Sequence, residues 1–279
     1  MGFITCPALK TFAQQQTGHR ALNLTSKGYG ISFGNSRSVN GIRFNAVDRD
    51  LGTVNGVNFT LWRAGDNPDG VINGLAFGLV APNAYRINGL SFGFVGVSGG
   101  IIHGISSGIV GVGAYKSIND LAIGGIGVGS NDRINGVSIA GVGIGAGGDI
   151  KGISLAGVGI GSGGSITGLS AALVGIGASD AITGVTLAGL GFGTSGPVKG
   201  VSFAGLGAGG GGFTGLSLAG IGLGSSGPMT GISIAGVGIG ASSFKGIQVG
   251  GVGLGSSGPI VGLTVAGVGA GGGSFEGLQ

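Results

Sequence analysis

The chain has 279 residues, of which 74 are glycine, 42% are hydrophobic and 8% are charged, and its formal net charge is +4. Collagen is excluded because the six prolines and the irregular glycine spacing do not give a glycine at every third position. An unfolded chain, which is rich in charge and poor in apolar residues, and a nucleic-acid-binding protein, which clusters its cations, are excluded as well.

Residues 1–27 are predicted to be an N-terminal tail or the remnant of a signal peptide. Residues 11–13 would form a small-residue cleavage site, but the apolar segment before them is short and is interrupted by Pro7 and Lys10. Cys6 is the only cysteine, so the sequence predicts no disulfide framework and no thiolate metal cluster. No run of eighteen strongly apolar residues predicts a transmembrane helix.

Residues 28–279 are a tandem repeat with a period of about sixteen residues. The copies in residues 28–101 carry more polar residues, and the copies in residues 102–279 form a glycine-rich body. The copies start at Val39, Val54, Ile72, Ile87, Ile102, Ile118, Ile134, Ile150, Ile166, Ile182, Val198, Phe213, Met229, Phe244, Ile260 and Phe275, the last being a fragment. Positions 1 to 16 of each copy are numbered from these residues.

Residue types are distributed by position, as the copy at 134–149 shows. Bulky apolar residues occupy positions 1, 4, 6, 9 and 11, and glycine, serine or alanine occupies positions 3, 5, 7, 8, 10 and 12. Position 2 and positions 13 to 16 hold nearly all of the polar residues. Apolar residues therefore alternate at period two in two runs, with a change of phase between positions 6 and 9, which predicts two strands per copy.

These two runs predict an all-β solenoid of about sixteen coils, each of 15–16 residues. A corner at positions 7 and 8 would turn positions 4, 6, 9 and 11 into one interior and place the small residues outside. Successive coils would run parallel, so that Val137 lies beside Ile153 and Ile153 beside Leu169. Ser138 and the equivalent residues at position 5 would then form an outer row of hydroxyl groups.

An antiparallel transmembrane β-barrel built from hairpins of 31–32 residues is the alternative that the sequence leaves open. Two kinds of turn alternate along the chain, so two consecutive copies also form a repeat. Positions 3 to 13 are almost free of charge after Ile102 and are long enough for a tilted membrane strand. In that arrangement Val137 would lie near Gly161. The change of phase and the scarcity of tyrosine and tryptophan favour the solenoid.

The N-terminal repeats, residues 28–101, are predicted to cap the solenoid. Segments 41–46 and 56–61 keep the apolar alternation but place polar residues such as Arg43 and Asn58 opposite the apolar ones. Because a strand with one side in water has this pattern, we expect these polar side chains to face solvent.

The early copies resemble the repeat unit of a known family. Segments 54–59 (VNGVNF), 72–80 (INGLAFGLV) and 87–93 (INGLSFG) are similar to the unit of glycine-rich bacterial surface proteins of leptospires and Bacteroidetes. The resemblance covers the chain from about residue 22 onward. It implies a protein at the cell surface, outside the cell or in the outer membrane, with no assigned chemistry.

The sequence indicates no catalytic, cofactor-binding or metal-binding residue, and we expect neither enzyme activity nor a cofactor. Segments such as 143–148 match the glycine spacing of dinucleotide-binding loops, but no amphipathic helix follows them. His19 and His103 have no acid or cysteine at ligand spacing, and the serines have no histidine partner for nucleophilic catalysis. The aspartates are too irregularly spaced for calcium-binding repeats.

The predicted function is that of a non-catalytic structural or interaction protein, an elongated surface module that packs against itself or against another cell-surface component. An outer-membrane β-barrel is the second hypothesis, and binding of ice or a polysaccharide through the hydroxyl row is the third. Nucleic acids and small-molecule substrates are not expected as partners, whereas a membrane stays open as one.

Overall fold

The computed structural model describes residues 10–13, 21–26, 29–62, 65 and 67–279, and their regular elements are all β-strands. The chain divides into two compact units, Met1–Ile126 and Gly127–Gln279. Cys6, His19 and most of the predicted tail or signal-peptide remnant lie outside the described residues.

The first unit joins an antiparallel start to a parallel solenoid. Its strands are β1 (Lys10–Ala13), β2 (Ala21–Ser26), β3 (Tyr29–Gly34), β4 (Val39–Asn45), β5 (Thr53–Thr60), β6 (Val71–Gly78), β7 (Asn83–Gly93), β8 (Gly96–Gly108) and β9 (Gly111–Gly124). β2 pairs antiparallel with both β1 and β3. From β3 to β9 each strand pairs in parallel with the next, so that Phe44 lies opposite Phe59 and Ile72 opposite Ile87.

The second unit stacks coils of one long and one short strand. Its strands are β10 (Gly127–Ser130), β11 (Arg133–Ala140), β12 (Gly143–Ala146), β13 (Ile150–Ala156), β14 (Gly159–Ser162), β15 (Ile166–Ala172), β16 (Gly175–Ala178), β17 (Ile182–Ala188), β18 (Gly191–Thr194), β19 (Pro197–Ala204), β20 (Gly207–Gly210), β21 (Gly212–Ala219), β22 (Gly222–Ser225), β23 (Pro228–Ala235), β24 (Gly238–Ala241), β25 (Ser243–Gly250), β26 (Gly253–Ser256), β27 (Pro259–Ala266), β28 (Gly269–Gly271) and β29 (Ser274–Leu278). The odd-numbered strands from β11 onward are the long ones, and the even-numbered strands are the short ones.

Equivalent strands of successive coils pair in parallel and in register. Val137 lies opposite Ile153, and Ile153 lies opposite Leu169, as the solenoid hypothesis predicts. The short strands follow the same rule, with Ile144 opposite Ile160. The predicted β-solenoid is therefore confirmed, and the antiparallel-hairpin alternative is wrong for these residues.

The interior of the second unit holds a different set of side chains from the predicted set. Positions 1, 5, 7 and 11 are buried, as Ile134, Ser138 and Ile144 show. Positions 4, 6 and 9 lie outward, and Ile139 and Val142 are 38% and 47% exposed. Of the four positions predicted to be inside, only position 11 is correct. The predicted outer hydroxyl row is wrong as well, because Ser138 and its equivalents are buried.

The difference between the predicted and the observed interior has two causes, which are the alternation of side chains along the long strand and the location of the corner. Positions 1, 5 and 7 share one side of the long strand, so an inward isoleucine at position 1 sends positions 4 and 6 outward. The corner lies at Gly141 and Val142, positions 8 and 9, and not at positions 7 and 8. The thin interior of each coil is filled by the large rows at positions 1 and 11 and by small side chains at positions 5 and 7.

Glycine at position 3 is required by the backbone. Gly184 has a φ of +118°, and a Cβ there would lie 2.2 Å from the carbonyl oxygen of Gly168 in the preceding coil. Asp120 is the exception at this position. It has a φ of +78°, and its Oδ2 accepts a 2.9 Å hydrogen bond from the amide of Gly104. At position 12, by contrast, a Cβ on Gly177 would meet no atom within 4 Å.

Two glycine-to-alanine substitutions test this difference. Gly184→Ala is expected to lower the free energy of unfolding by about 2 kcal/mol or more, because it combines an unfavourable φ with a backbone clash. The matched control, Gly177→Ala, is expected to leave that free energy unchanged or to raise it by up to ~1 kcal/mol. Urea unfolding followed by circular dichroism measures both, and equal effects would contradict the positive φ at position 3.

Candidate functional site

The polar residues of the N-terminal repeats lie inside the first unit. Arg43 and Asn58 occupy position 5 and are fully buried, as is Asp48. The Arg43 guanidinium forms an ion pair with Asp48 and donates hydrogen bonds to Asn58 Oδ1 (2.8 Å) and to the carbonyl oxygen of Ser36 (2.9 Å). The expectation that these residues face solvent is therefore wrong, because position 5 points inward. A buried charge is tolerated here because it is paired and hydrogen-bonded.

Aromatic residues take the outer side of the same strands. Five phenylalanines that lie opposite one another at position 6 of successive strands form a row, with neighbouring ring centroids 5.0 to 5.5 Å apart: Phe33, Phe44, Phe59, Phe77 and Phe92. Each ring is exposed or half-buried. The first unit is thus polar in part of its interior and aromatic on part of its surface, the reverse of the predicted cap.

A depression of about 490 Å³ in the first unit is lined by Tyr85, Tyr115 and Lys116. Lys116 Nζ donates a 2.8 Å hydrogen bond to the hydroxyl of Tyr85, which holds the pKa of that phenol below its ordinary value. Gly100 leaves room for the Tyr85 ring, since a Cβ there would lie 2.9 Å from Tyr85 Cδ2. The sequence analysis missed this corner, although two of the three tyrosines occupy the same position, 14.

The outer side of the long strands in the second unit is a continuous apolar surface. We call it the apolar face and define it as the side chains at positions 4, 6 and 9 of the nine coils that start at Ile134 through Ile260. These side chains are exposed or half-buried, and none of them is charged. Nine coils at about 4.8 Å and six positions at about 3.3 Å give the face an area of roughly 850 Å². Monomeric proteins rarely expose a contiguous apolar surface above a few hundred Å².

One coil of the apolar face departs from the pattern. Ala171 stands at position 6, where the neighbouring coils have Leu155 and Leu187, and Leu173 stands at position 8, where they have glycine. The small side chain of Ala171 contributes to a depression of about 520 Å³, which is also lined by Leu155, Leu187 and Phe203. Leu173 lines the same depression and is 74% exposed. The same coil therefore carries a protruding side chain and a hollow.

The outer side of the short strands is lined by glycine. Positions 10 and 12 are glycine in every complete coil of the second unit. A Cβ on Gly161, Gly193 or Gly240, all at position 12, would meet no atom within 4 Å. The expectation that the small residues lie outside is thus correct for the short strands and wrong for the long ones.

The sequence motifs considered above do not form a chemical site in the described part of the chain. His103, at position 2 of the copy that starts at Ile102, lies exposed within β8 and not in a turn. Segment 143–148 is β12 with the turn that follows it. No group of three or more histidine, cysteine, aspartate or glutamate side chains suited to a metal ion occurs among the described residues. Residues 10 to 279, where described, include no helix that could cross a membrane.

Comparison with known proteins finds no relative. No protein-family model matches the chain, and no curated protein and no solved structure matches it either. The functional argument therefore depends on the surfaces of the molecule itself.

The assignment of inner and outer positions can be tested with two aspartates in one coil. Ile160→Asp, at a position that is 3% exposed, is expected to lower the free energy of unfolding by several kcal/mol because it buries an unpaired carboxylate. Val158→Asp, on the apolar face two residues earlier, is expected to change it by less than ~1 kcal/mol. Thermal unfolding of the two variants measures this, and comparable damage by both would place Val158 inside.

Proposed function

We propose that this protein is a non-catalytic structural and interaction module that associates with a second copy of itself through the apolar face. The observation that carries the proposal is the position of the large aliphatic side chains. Two rows of them lie on the outside of the long strands, at positions 4 and 6, and a third lies in the corner at position 9. The inside of the same strands holds one large row, at position 1, and serine and alanine at positions 5 and 7. Water contact with the three outer rows is unfavourable, and its removal is the main driving force for association.

The size and chemistry of the apolar face suit a second sheet as its partner. Stable interfaces bury about 800 Å² on each partner, which is close to the roughly 850 Å² of this face. Two sheets pack face to face at about 10 Å when their side chains interdigitate. The charged residues of the second unit lie at position 2, along one edge of the face, or in the turns. Association is therefore expected to be insensitive to salt.

We propose the cell surface as the location of this module, a proposal that rests on the resemblance of the repeat units described above. Self-association would let copies on one surface pack together. Binding of ice or a polysaccharide through the position-5 hydroxyl groups is not retained, because those groups are buried.

A glutamate on the apolar face tests the proposed function. Val185→Glu, at position 4, is expected to weaken self-association by at least ~100-fold, since a desolvated charge costs several kcal/mol and each 1.4 kcal/mol is tenfold. Thr183→Glu is the matched control, because Thr183 is exposed on the same strand at position 2, outside the face. Sedimentation equilibrium measures both variants alongside the unaltered protein.

Two results would overturn the proposal. The first is an unaltered protein that stays monomeric up to about 100 μM, a range in which the Kd of a weak specific complex is exceeded. The second is equal association of Val185→Glu and Thr183→Glu while both variants keep the circular dichroism spectrum of the unaltered protein.

A further inference from the structure

The coil at 166–181 exchanges the sizes of two side chains on the apolar face. In the other eight complete coils of the second unit, position 6 holds leucine, isoleucine, valine or phenylalanine, and position 8 holds glycine. In this coil position 6 is Ala171 and position 8 is Leu173. The large side chain of this coil therefore stands two residues later than in the other coils, and it also lies on the outer surface.

This exchange is unfavourable for the coil itself. Glycine at position 8 fits closely against the preceding coil: a Cβ on Gly189 would lie 1.9 Å from the carbonyl oxygen of Leu173. The amide of Gly189 also donates a 2.9 Å hydrogen bond to the carbonyl oxygen of Ala172. A side chain at this position therefore requires the neighbouring backbone to shift. Because the Leu173 side chain is largely exposed, packing within the chain does not offset this cost.

We propose that the exchange fixes the register of a two-fold dimer, in which Leu173 of each copy fills the depression over Ala171 of the other. This inference rests on the proposed function and specifies its geometry. The protruding side chain and the hollow lie in one coil, so the surface is complementary to itself, as an isologous interface requires. The occupant is therefore a second copy of this chain.

A two-fold axis along the coil-stacking direction, passing over Ala172, produces this contact. Ala171 at position 6 lies near the end of β15, and Leu173 at position 8 is the first residue of the corner and is exposed. The two residues are about 7 Å apart, so the rotation brings position 8 of one copy over position 6 of the other. In every other coil the same rotation sets the large side chain at position 6 against the glycine at position 8. Each large side chain at position 6 therefore packs against a glycine at position 8 of the other copy. In the exchanged coil the two positions swap roles, because Leu173 at position 8 packs against Ala171 at position 6.

The exchange selects one register among several. Without it, two regular faces could slide past each other in steps of about 4.8 Å with the same contacts at each step. With it, a slide of one coil would press Leu173 against Leu155 or Leu187 and leave Ala171 opposite glycine. One alignment would thus be free of both a clash and a void, and the alternatives would be disfavoured.

Two substitutions in the exchanged coil, Ala171→Leu and Leu173→Gly, test the proposal, each introducing a residue that other coils carry at that position. Ala171→Leu alone is expected to weaken association by ~100-fold or more because leucine would meet leucine at both contacts. Leu173→Gly alone is expected to weaken it about tenfold by leaving two voids, without lowering the melting temperature of the monomer.

Mixing the two variants provides the decisive measurement. In a mixed pair, Leu173 of the first variant faces Ala171 of the second, and the leucine introduced by Ala171→Leu faces the glycine introduced by Leu173→Gly, so both contacts fit. We expect fluorescence energy transfer between labelled variants to show a mixed dimer with a Kd within about threefold of the unaltered protein. Folded variants that do not recover affinity on mixing would overturn the register.

The result separates this inference from the proposed function. If the unaltered protein dimerises and Val185→Glu disrupts the dimer, but the mixed pair stays weak, the apolar face is the interface and its register differs from the one proposed. If the unaltered protein is monomeric, the proposed function fails and this inference fails with it. Recovery of affinity on mixing supports both.

Discussion

The structure of the second unit depends on one constraint, which is that successive side chains of the long strand point to opposite sides. A strand has two sides, and an inward isoleucine at position 1 assigns positions 5 and 7 to the interior and positions 4 and 6 to the surface. Parallel, in-register stacking then extends each assignment into a row. The inward orientation of position 1 is therefore repeated in every coil, and it determines which side chains lie on the surface of the unit.

The consequence is that the second unit has apolar side chains both inside and outside its long strands. The interior contains two rows of large side chains, at positions 1 and 11, with small side chains between them. The exterior of the long strands and of the corner that follows them contains three more apolar rows. A short coil has no room for all five rows, since protein interiors are close-packed. The remaining rows lie on the surface, and the proposed second copy would cover them with a surface of the same chemistry and the same repeat.

Much of the fold can be predicted from the sequence, because periodicity is a local signal. The sixteen-residue period, the two strands per coil and the pairing of Val137 with Ile153 all follow from residue spacing. The sequence period does not show which side of each strand faces the interior. Hydrophobic alternation identifies an inner side only when the other side is polar, and here Ile139 is as apolar as Ile134. The uniformly small side chains at position 5, from Ser138 to Ser233, are a signal of a tight interior that polarity alone obscures.

The exchanged pair in the coil at 166–181 and the buried Arg43 network are both departures from the repeat that sequence alone does not explain. Both break the repeat, and both have a physical reason that appears only when their neighbours are placed around them. The sequence shows that Arg43 and Leu173 are irregular, but the burial of one and the exposure of the other depend on the side of the strand that each occupies. Residues that depart from a repeat can therefore be identified from the sequence, whereas the structure is needed to show whether they are buried or exposed.

Thiol accessibility tests the central claim most directly, that the outward rows are exposed in one copy and covered in the pair. Cysteine would be placed at Leu187, on the apolar face, and separately at Thr183, outside it, in a Cys6→Ser background, and the alkylation rate followed as a function of protein concentration. The account predicts that the thiol at 187 reacts readily in dilute solution and is protected at high concentration, while the thiol at 183 reacts at the same rate throughout. A thiol at 187 that is protected at every concentration, or reactive at every concentration, would contradict it.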